Sequence, residues 1–291
     1  MTKMPKTNPH DLSRIINRVE DLPTLPRTVL RITELVNDPK SSARDLARII
    51  TDDQVLAARL LRLVNSSFYG FPQRISTITG AIVLLGFDAI RNLLLTTSVF
   101  DLFATRKKAS VFRQEQFWDH SLGCAVGAKV IGNQLRYDKV EELFVTGLLH
   151  DIGKIVEIIF MPEAFKEINN LVKNDNILMI TAEEKILGYS HPEVGRLLAE
   201  KWNLPPKLIH VILQHHQPSE AGRFSLESAI VHLADILCRS LNIGSGGDNK
   251  MPPLDKMAWE SLRIRPQAIE SILAEITKEF DDISLFITYT P

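Results

Sequence analysis

His150 and Asp151 stand side by side in the run Gly147-Leu148-Leu149-His150-Asp151-Ile152-Gly153-Lys154. The pair puts a neutral nitrogen and an anionic oxygen at one point of an otherwise apolar stretch. Burying a carboxylate costs several kcal/mol or more unless it is paired or binds a cation. The run from Leu143 to Leu149 is too apolar for a solvated surface, so a metal ion would resolve the conflict. Gly147 and Gly153 leave room for close approach.

The other histidines strengthen this reading. The chain holds eight, and all but His10 lie between His120 and His232. A ligand set assembles from His120, His150, Asp151, His191, His215, His216 and Asp235. Imidazole and carboxylate together suit zinc, iron, manganese or nickel. The lack of nearby cysteines argues against a closed structural zinc site.

The members differ in how strongly they read. His120 opens a helix of small residues (Gly123, Ala125, Gly127, Ala128), as a site between packed helices requires; a capping or surface histidine is the alternative. His215 and His216 close a helix before Pro218. Adjacent helical residues point about 100° apart, so both reach one site only if the helix ends there. Asp235, in the apolar helix Ile230 to Leu237, again needs a cation. His232 faces the same side three residues earlier, as a supporting partner or a core histidine. His10 and His210 read as structural.

The elements that position these residues are helical nearly throughout. Asp11 can cap a first helix. Pro26 suits the first turn of a helix carrying Val29, Leu30, Ile32, Leu35 and Val36. Ser42 and Asp45 resemble a capping box. Asp52 or Asp53 starts a helix with Leu56, Leu60, Leu61 and Val64 inward, and Asn65 to Arg74 is a loop. Ser76 or Thr77 caps a short helix that Gly86 ends, and Asp88 opens another to about Phe103. Ser190, Pro205-Pro206 and Ser228 mark further helix starts. Gly244 to Asn249 reads as a flexible loop. The tail from Asp282 alternates weakly (Ile283, Leu285, Ile287, Tyr289), which suggests an extended segment. The polar, basic stretch 104–114 is the expected internal boundary, giving lobes of residues 1–110 and 111–291.

Composition bounds the function. A chain of 291 residues with 45% hydrophobic and 24% charged residues is of ordinary globular make-up. A net charge of −1 gives no general attraction to nucleic acid or membrane. Residues 1–110 carry +6 and the remainder −7, which reads as solvated helix faces or as a contact between lobes or with a partner. Short helices could suggest a DNA reader, but Ile82 to Leu85 are apolar all round and supply no basic face. Ala81 to Phe103 is interrupted by Asp88, Arg91 and Asp101 and is not a membrane span. Cys124 and Cys238 read as buried free thiols of a cytoplasmic protein, and no signal-peptide core opens the chain.

These residues, in this order, resemble the HD superfamily of metal-dependent phosphohydrolases. The N-terminal half narrows the resemblance. Leu22-Pro23-Thr24-Leu25-Pro26, Asp53 to Arg62, Val64-Asn65-Ser66-Ser67-Phe68-Tyr69-Gly70 and Ile78 to Gly86 are similar to the HDOD family, bacterial signalling modules related to those enzymes. The resemblance covers residues 20–241. It implies an all-α fold, an HD-like helical bundle with a smaller N-terminal helical lobe.

The resemblance also implies roles. His120, His150, Asp151 and Asp235 would make a first metal site. Asp151 would bridge to a second metal held by His191 with His215, His216 or both. Lys154 matches a lysine that contacts phosphate in related cyclic-dinucleotide hydrolases. One or two divalent ions are expected, with output through a signalling protein partner, a nucleotide ligand or both. The different-class alternative is an active phosphohydrolase, in which two metals sharing Asp151 clamp a phosphoryl group for in-line attack and Lys154 stabilises charge. The Gly-Tyr-Pro element of cyclic-di-GMP hydrolases is replaced here by Gln217-Pro218-Ser219, which argues against that substrate.

Overall fold

Helix signals in the sequence become helices in space. The computed structural model describes residues 27–36, 40–66, 69–91, 93–95, 114–220 and 222–288. Among them the regular elements are α-helices and short 3-10 turns, with no strand. The chain is all-α, with the described residues falling into two compact units, 27–95 with 274–288, and 114–273.

In the smaller unit, α1 (Arg27–Val36), α2 (Ala43–Thr51), α3 (Gln54–Val64) and α4 (Ile78–Leu85) pack on one another. Their starts follow the capping chemistry. The Ser42 hydroxyl accepts from the Asp45 amide while the Asp45 carboxylate accepts from the Ser42 amide. Asp53 caps α3 and Thr77 caps α4. Gly86 ends α4 with φ +85, a conformation open to glycine. The intervening loop is held by Asn65, whose side chain both donates to the Ile75 carbonyl and accepts from the Ile75 amide, each at 2.7 Å. Leu63 is buried on α3, where the expected Leu61 is only half-buried. The chain is helical again over 87–91 and 93–95. The Asp11 helix, Pro26, the 104–114 boundary as far as residue 113 and the stretch from 96 to Phe103 lie outside the described residues.

The larger unit is built around α5 (Gln114–Gln134), which packs on α6 (Val140–Leu149) and α12 (Ser225–Ser240). A second group joins α7 (Ile152–Phe160), α10 (His191–Lys201) and α11 (Pro206–Gln214). α8 (Pro162–Asp175) packs on α7 and on α9 (Met179–Leu187), and α13 (Lys256–Leu262) lies on α12. Two glycines sit where helix backbones cross closely. A Cβ on Gly147 would lie 2.6 Å from the Cys124 carbonyl oxygen, and one on Gly153 would lie 2.0 Å from the His191 carbonyl oxygen. Only hydrogen fits at either crossing.

The last helix, α14 (Ile269–Thr288), corrects the extended tail expected from Asp282. Ile272, Ile276 and Ile283 are buried at four- and seven-residue spacing, which is a helical stripe. The alternation of Ile283, Leu285 and Ile287 was too short to decide against it.

Candidate metal centre

The His150-Asp151 pair is the junction of two helices. His150 caps the end of α6 and Asp151 caps the start of α7, so the two residues are the whole turn between the helices. Both side chains are buried. Around them stand His120 in the second turn of α5, His191 as the first residue of α10, His215 and His216 directly after α11, and Asp235 on α12. Because α11 ends at Gln214, both histidines that follow it turn toward the same place. All seven sequence-selected residues come together in the larger unit.

The donor atoms form two adjacent groups. His120, Cys124, His150 and Asp235 make one; Asp151, His191, His215 and His216 make the other. Within each group the potential ligand atoms lie within 4.8 Å of one another. Asp151 touches both. Its Oδ2 lies 3.5 Å from His120 Nε2 and 3.3 Å from His150 Nε2. Its Oδ1 lies 3.1 Å from His191 Nε2 and 3.6 Å from His215 Nε2.

Ring tautomers decide what this arrangement is for. His150 Nδ1 donates to the Gly147 carbonyl at 2.6 Å and His215 Nδ1 to the Ile212 carbonyl at 2.8 Å. His191 Nδ1 donates to Glu183 Oε2 at 2.6 Å. A histidine whose Nδ1 carries its proton presents a lone pair at Nε2. Yet His191 Nε2 faces His215 Nε2 at 3.4 Å and His216 Nε2 at 3.2 Å. The three Nε2 atoms thus converge beside Asp151 Oδ1, where a shared proton or a metal ion would join them.

The spacing fits a metal. Ligand lengths of about 2.0–2.3 Å at tetrahedral angles separate neighbouring donors by roughly 3.3–3.7 Å. His120 Nε2 to Asp235 Oδ1 is 3.2 Å, and the Asp151 and histidine separations above span 3.1 to 3.6 Å. Three buried atoms of the set, His150 Nε2, Asp151 Oδ1 and Asp235 Oδ2, make no hydrogen bond among the described residues. Buried polar atoms of this kind fit metal ligation.

Electrostatics keep the donors in usable form. Burial would raise the Asp151 carboxyl, but His150 and Lys154 hold it well below the usual carboxylate range. Burial is likewise outweighed at Asp235, chiefly by Arg239. Burial pushes His215 down to about 4 and, with the neighbouring His215 and His191, pushes His216 well down. His120 and His191 run the other way: burial lowers them, but Asp151 and Asp235 lift His120 and Glu183 lifts His191.

Supporting residues complete the site. Lys154 is buried and donates to Asp151 Oδ2 at 2.6 Å and to the Gly246 carbonyl at 2.8 Å. Arg239 donates to Asp235 at 2.8 Å, to Asp248 at 3.1 Å and to the Lys250 carbonyl at 3.2 Å. The Gly244–Asn249 loop is therefore pinned against the centre. His232 donates to the His215 carbonyl and accepts from the Asp255 amide, so both its nitrogens are used structurally. His210 is exposed and donates to the Pro206 carbonyl. A cavity of about 160 Å³ lined by Lys154, Met179, His191, His216, Arg239 and Asp248 reaches the second group.

Four contributors were not selected from sequence. Glu183 lies eight residues before His191, and only the fold brings them together. Arg239 follows Asp235 by one helical turn, a spacing that was legible. Cys124 follows His120 by one turn, with Sγ 3.7 Å from His120 Nε2. Cys238 approaches the same ring, 3.8 Å from Nδ1. The expectation that no cysteine lies near the histidines is thus corrected: Cys238 is remote in sequence and joins through α12 packing on α5. Both thiols are free and buried.

Comparison with known proteins agrees with this architecture. A model of the HDOD domain matches residues 22–218. An HDOD domain protein of unknown function from Geobacter sulfurreducens is 30% identical and superposes with a TM-score of 0.79 over 96% of each chain. A protein from Shewanella amazonensis SB2B with a provisional phosphohydrolase name is 23% identical, with a TM-score of 0.73 over 94% of this chain and 97% of that one. At that identity the likeness is one of fold. An uncharacterized protein of Treponema pallidum (strain Nichols) is 28% identical over 206 residues. The match takes in 69% of this chain and 39% of that relative, so the chain spans well under half of the relative's length. No helix among the described residues is long and apolar enough to cross a membrane.

Proposed function

The chain belongs to the HDOD domain family, and from that premise we propose that it is a bacterial signalling module whose larger unit binds two divalent metal ions bridged by Asp151. The observation that carries this reading is the meeting of the His191, His215 and His216 Nε2 atoms beside Asp151 Oδ1. His120, His150 and Asp235 would hold the first ion with Asp151 Oδ2. His191, His215 and His216 would hold the second with Asp151 Oδ1. Iron, manganese, zinc and nickel all suit these donors. The output is a protein contact, with a nucleotide or phosphoester as the candidate small ligand.

The supporting residues favour regulation over turnover. Lys154 and Arg239, the cations nearest the centre, are already engaged by Asp151, Asp235, Asp248 and loop carbonyls. Neither is spare for a phosphoryl group in this arrangement. The second reading, phosphoester hydrolysis, is favoured by the shared carboxylate, since paired metals supply charge stabilisation to in-line displacement.

A metal titration followed by thermal unfolding, with a phosphodiester and nucleotide panel in parallel, separates the two. A ligand that binds only the folded state stabilises it by about 4 kcal/mol at a thousand times its Kd. The regulatory reading expects metal-dependent stabilisation without turnover. Metal-dependent hydrolysis that Asp151→Ala abolishes would establish the enzyme instead.

A further inference from the structure

Cys124 has no part in the ligand set drawn from histidine and carboxylate, yet it is built into the first group. Its side chain is fully buried on α5, one turn beyond His120. Its Sγ lies 3.7 Å from His120 Nε2. The Nε2 atom is also the one that faces Asp235 Oδ1 at 3.2 Å. Cys124, His120, His150 and Asp235 all offer ligand atoms within 4.8 Å of one another. A zinc–sulfur bond of about 2.3 Å beside a zinc–nitrogen bond of about 2.0 Å sets the two atoms roughly 3.5–3.6 Å apart at a tetrahedral angle.

Cys238 is not equivalent. It approaches the opposite edge of the His120 ring, at Nδ1, and its thiol is directed to the carbonyls of His120 at 3.6 Å and Ile243 at 3.5 Å. Cys124 Sγ instead lies somewhat nearer Nε2, at 3.7 Å, than Nδ1, at 4.0 Å.

We infer that Cys124 is a thiolate ligand of the first metal site, joining His120, His150, Asp235 and Asp151 Oδ2 there and matching that site to a borderline-soft divalent ion such as zinc. The second group offers nitrogen and oxygen only. The two sites are therefore chemically unequal, one with a sulfur donor and one without. When the ion enters, the Cys124 S–H bond breaks, its proton passes to solvent, and a sulfur–metal bond forms without any change of oxidation state. Thiolate favours the softer ions, whereas carboxylate and imidazole accept a wider range. This assignment rests on the metal reading above.

Cobalt(II) tests it in the full-length protein, stripped with chelator and loaded under reductant. Thiolate ligation gives a sulfur-to-cobalt charge-transfer band in the near ultraviolet, which should be present in the parent and in Cys238→Ser. In Cys124→Ser the ultraviolet band should vanish while cobalt remains at the second site. Cobalt bound without the band in the parent overturns the assignment and leaves the metal reading standing. So does a band lost in Cys238→Ser but kept in Cys124→Ser. No cobalt uptake at all overturns the metal reading itself, and the assignment with it. If Cys124→Ser does not fold, X-ray absorption of zinc-loaded Cys238→Ser decides. The chain has two cysteines, so a thiolate sulfur at about 2.3 Å then comes from Cys124, and a shell of nitrogen and oxygen alone refutes it.

Discussion

Asp151 and the histidines around it carry the chemistry, and their protonation sets how the centre responds to pH. Burial lowers the His120 and His191 pKa values, but the carboxylates of Asp151 and Asp235, and of Glu183, more than reverse this. Without metal these two rings therefore hold a proton more readily than a free imidazole. His215, at about 4, and His216 are already neutral. Metal loading displaces the protons that His120 and His191 hold as pH falls. Proton release makes the affinity strengthen as pH rises and weaken as it falls, by about tenfold per pH unit for each proton released. Chelator competition from about pH 6 to 8 should show that slope. An affinity independent of pH would contradict the protonation states assigned here.

Glu183 makes a second prediction at this scale. It holds the His191 proton on Nδ1 and so keeps Nε2 free to bind. Partners of this kind are worth about 10–100-fold in metal affinity. Glu183→Gln should weaken the second site by that factor and leave the first unchanged, as read by metal titration. Equal loss at both sites would point to a general folding defect instead.

At the scale of elements, the site depends on how closely α7 and α10 approach. Gly153→Ala would drive a methyl into the His191 carbonyl and within 2.8 Å of the Gly195 amide nitrogen. Overpacking of this sort costs about 1–3 kcal/mol and sometimes more. Urea unfolding should show a lower midpoint, and the shift of His191 should reduce metal affinity in the folded fraction. A variant as stable as the parent would mean the helices separate without cost.

A polar clamp serves the same end elsewhere. Lys207 at the start of α11 donates to Glu142 of α6 at 2.7 Å and to Tyr137 at 2.8 Å, and the Tyr137 hydroxyl donates to Glu227 of α12. Burial raises Glu142, but Lys207 and Lys139 bring it below its ordinary range. Lys207→Ala leaves two largely buried carboxylates without their shared cation. It should cost about 1–3 kcal/mol, the range for stranding a buried polar group, read from the same unfolding curves.

At the scale of the whole molecule, the helical architecture was legible because capping residues and helical periodicity are local. Ser42 with Asp45, Thr77 and Gly86 each do in space what their types announce. The co-location of His120, His150, Asp151, His191, His215, His216 and Asp235 was legible for a different reason: buried carboxylates and clustered histidines are costly unless something gathers them. Glu183 was not legible, because its partnership with His191 exists only once α9 lies beside the start of α10. Cys238 was hidden likewise, 118 positions from the ring it touches. The final helix was obscured because three alternating apolar residues fit both a strand and a helix stripe, and only Ile272 and Ile276 upstream resolve it.

The central claim is a metal centre of two sites sharing one carboxylate. Elemental mass spectrometry of the purified chain, beside His150→Ala and Asp151→Ala, tests it most directly. The account predicts close to two ions per chain in the parent, loss confined to the first site in His150→Ala, and loss at both sites in Asp151→Ala. A parent that holds no metal even after reconstitution would contradict it.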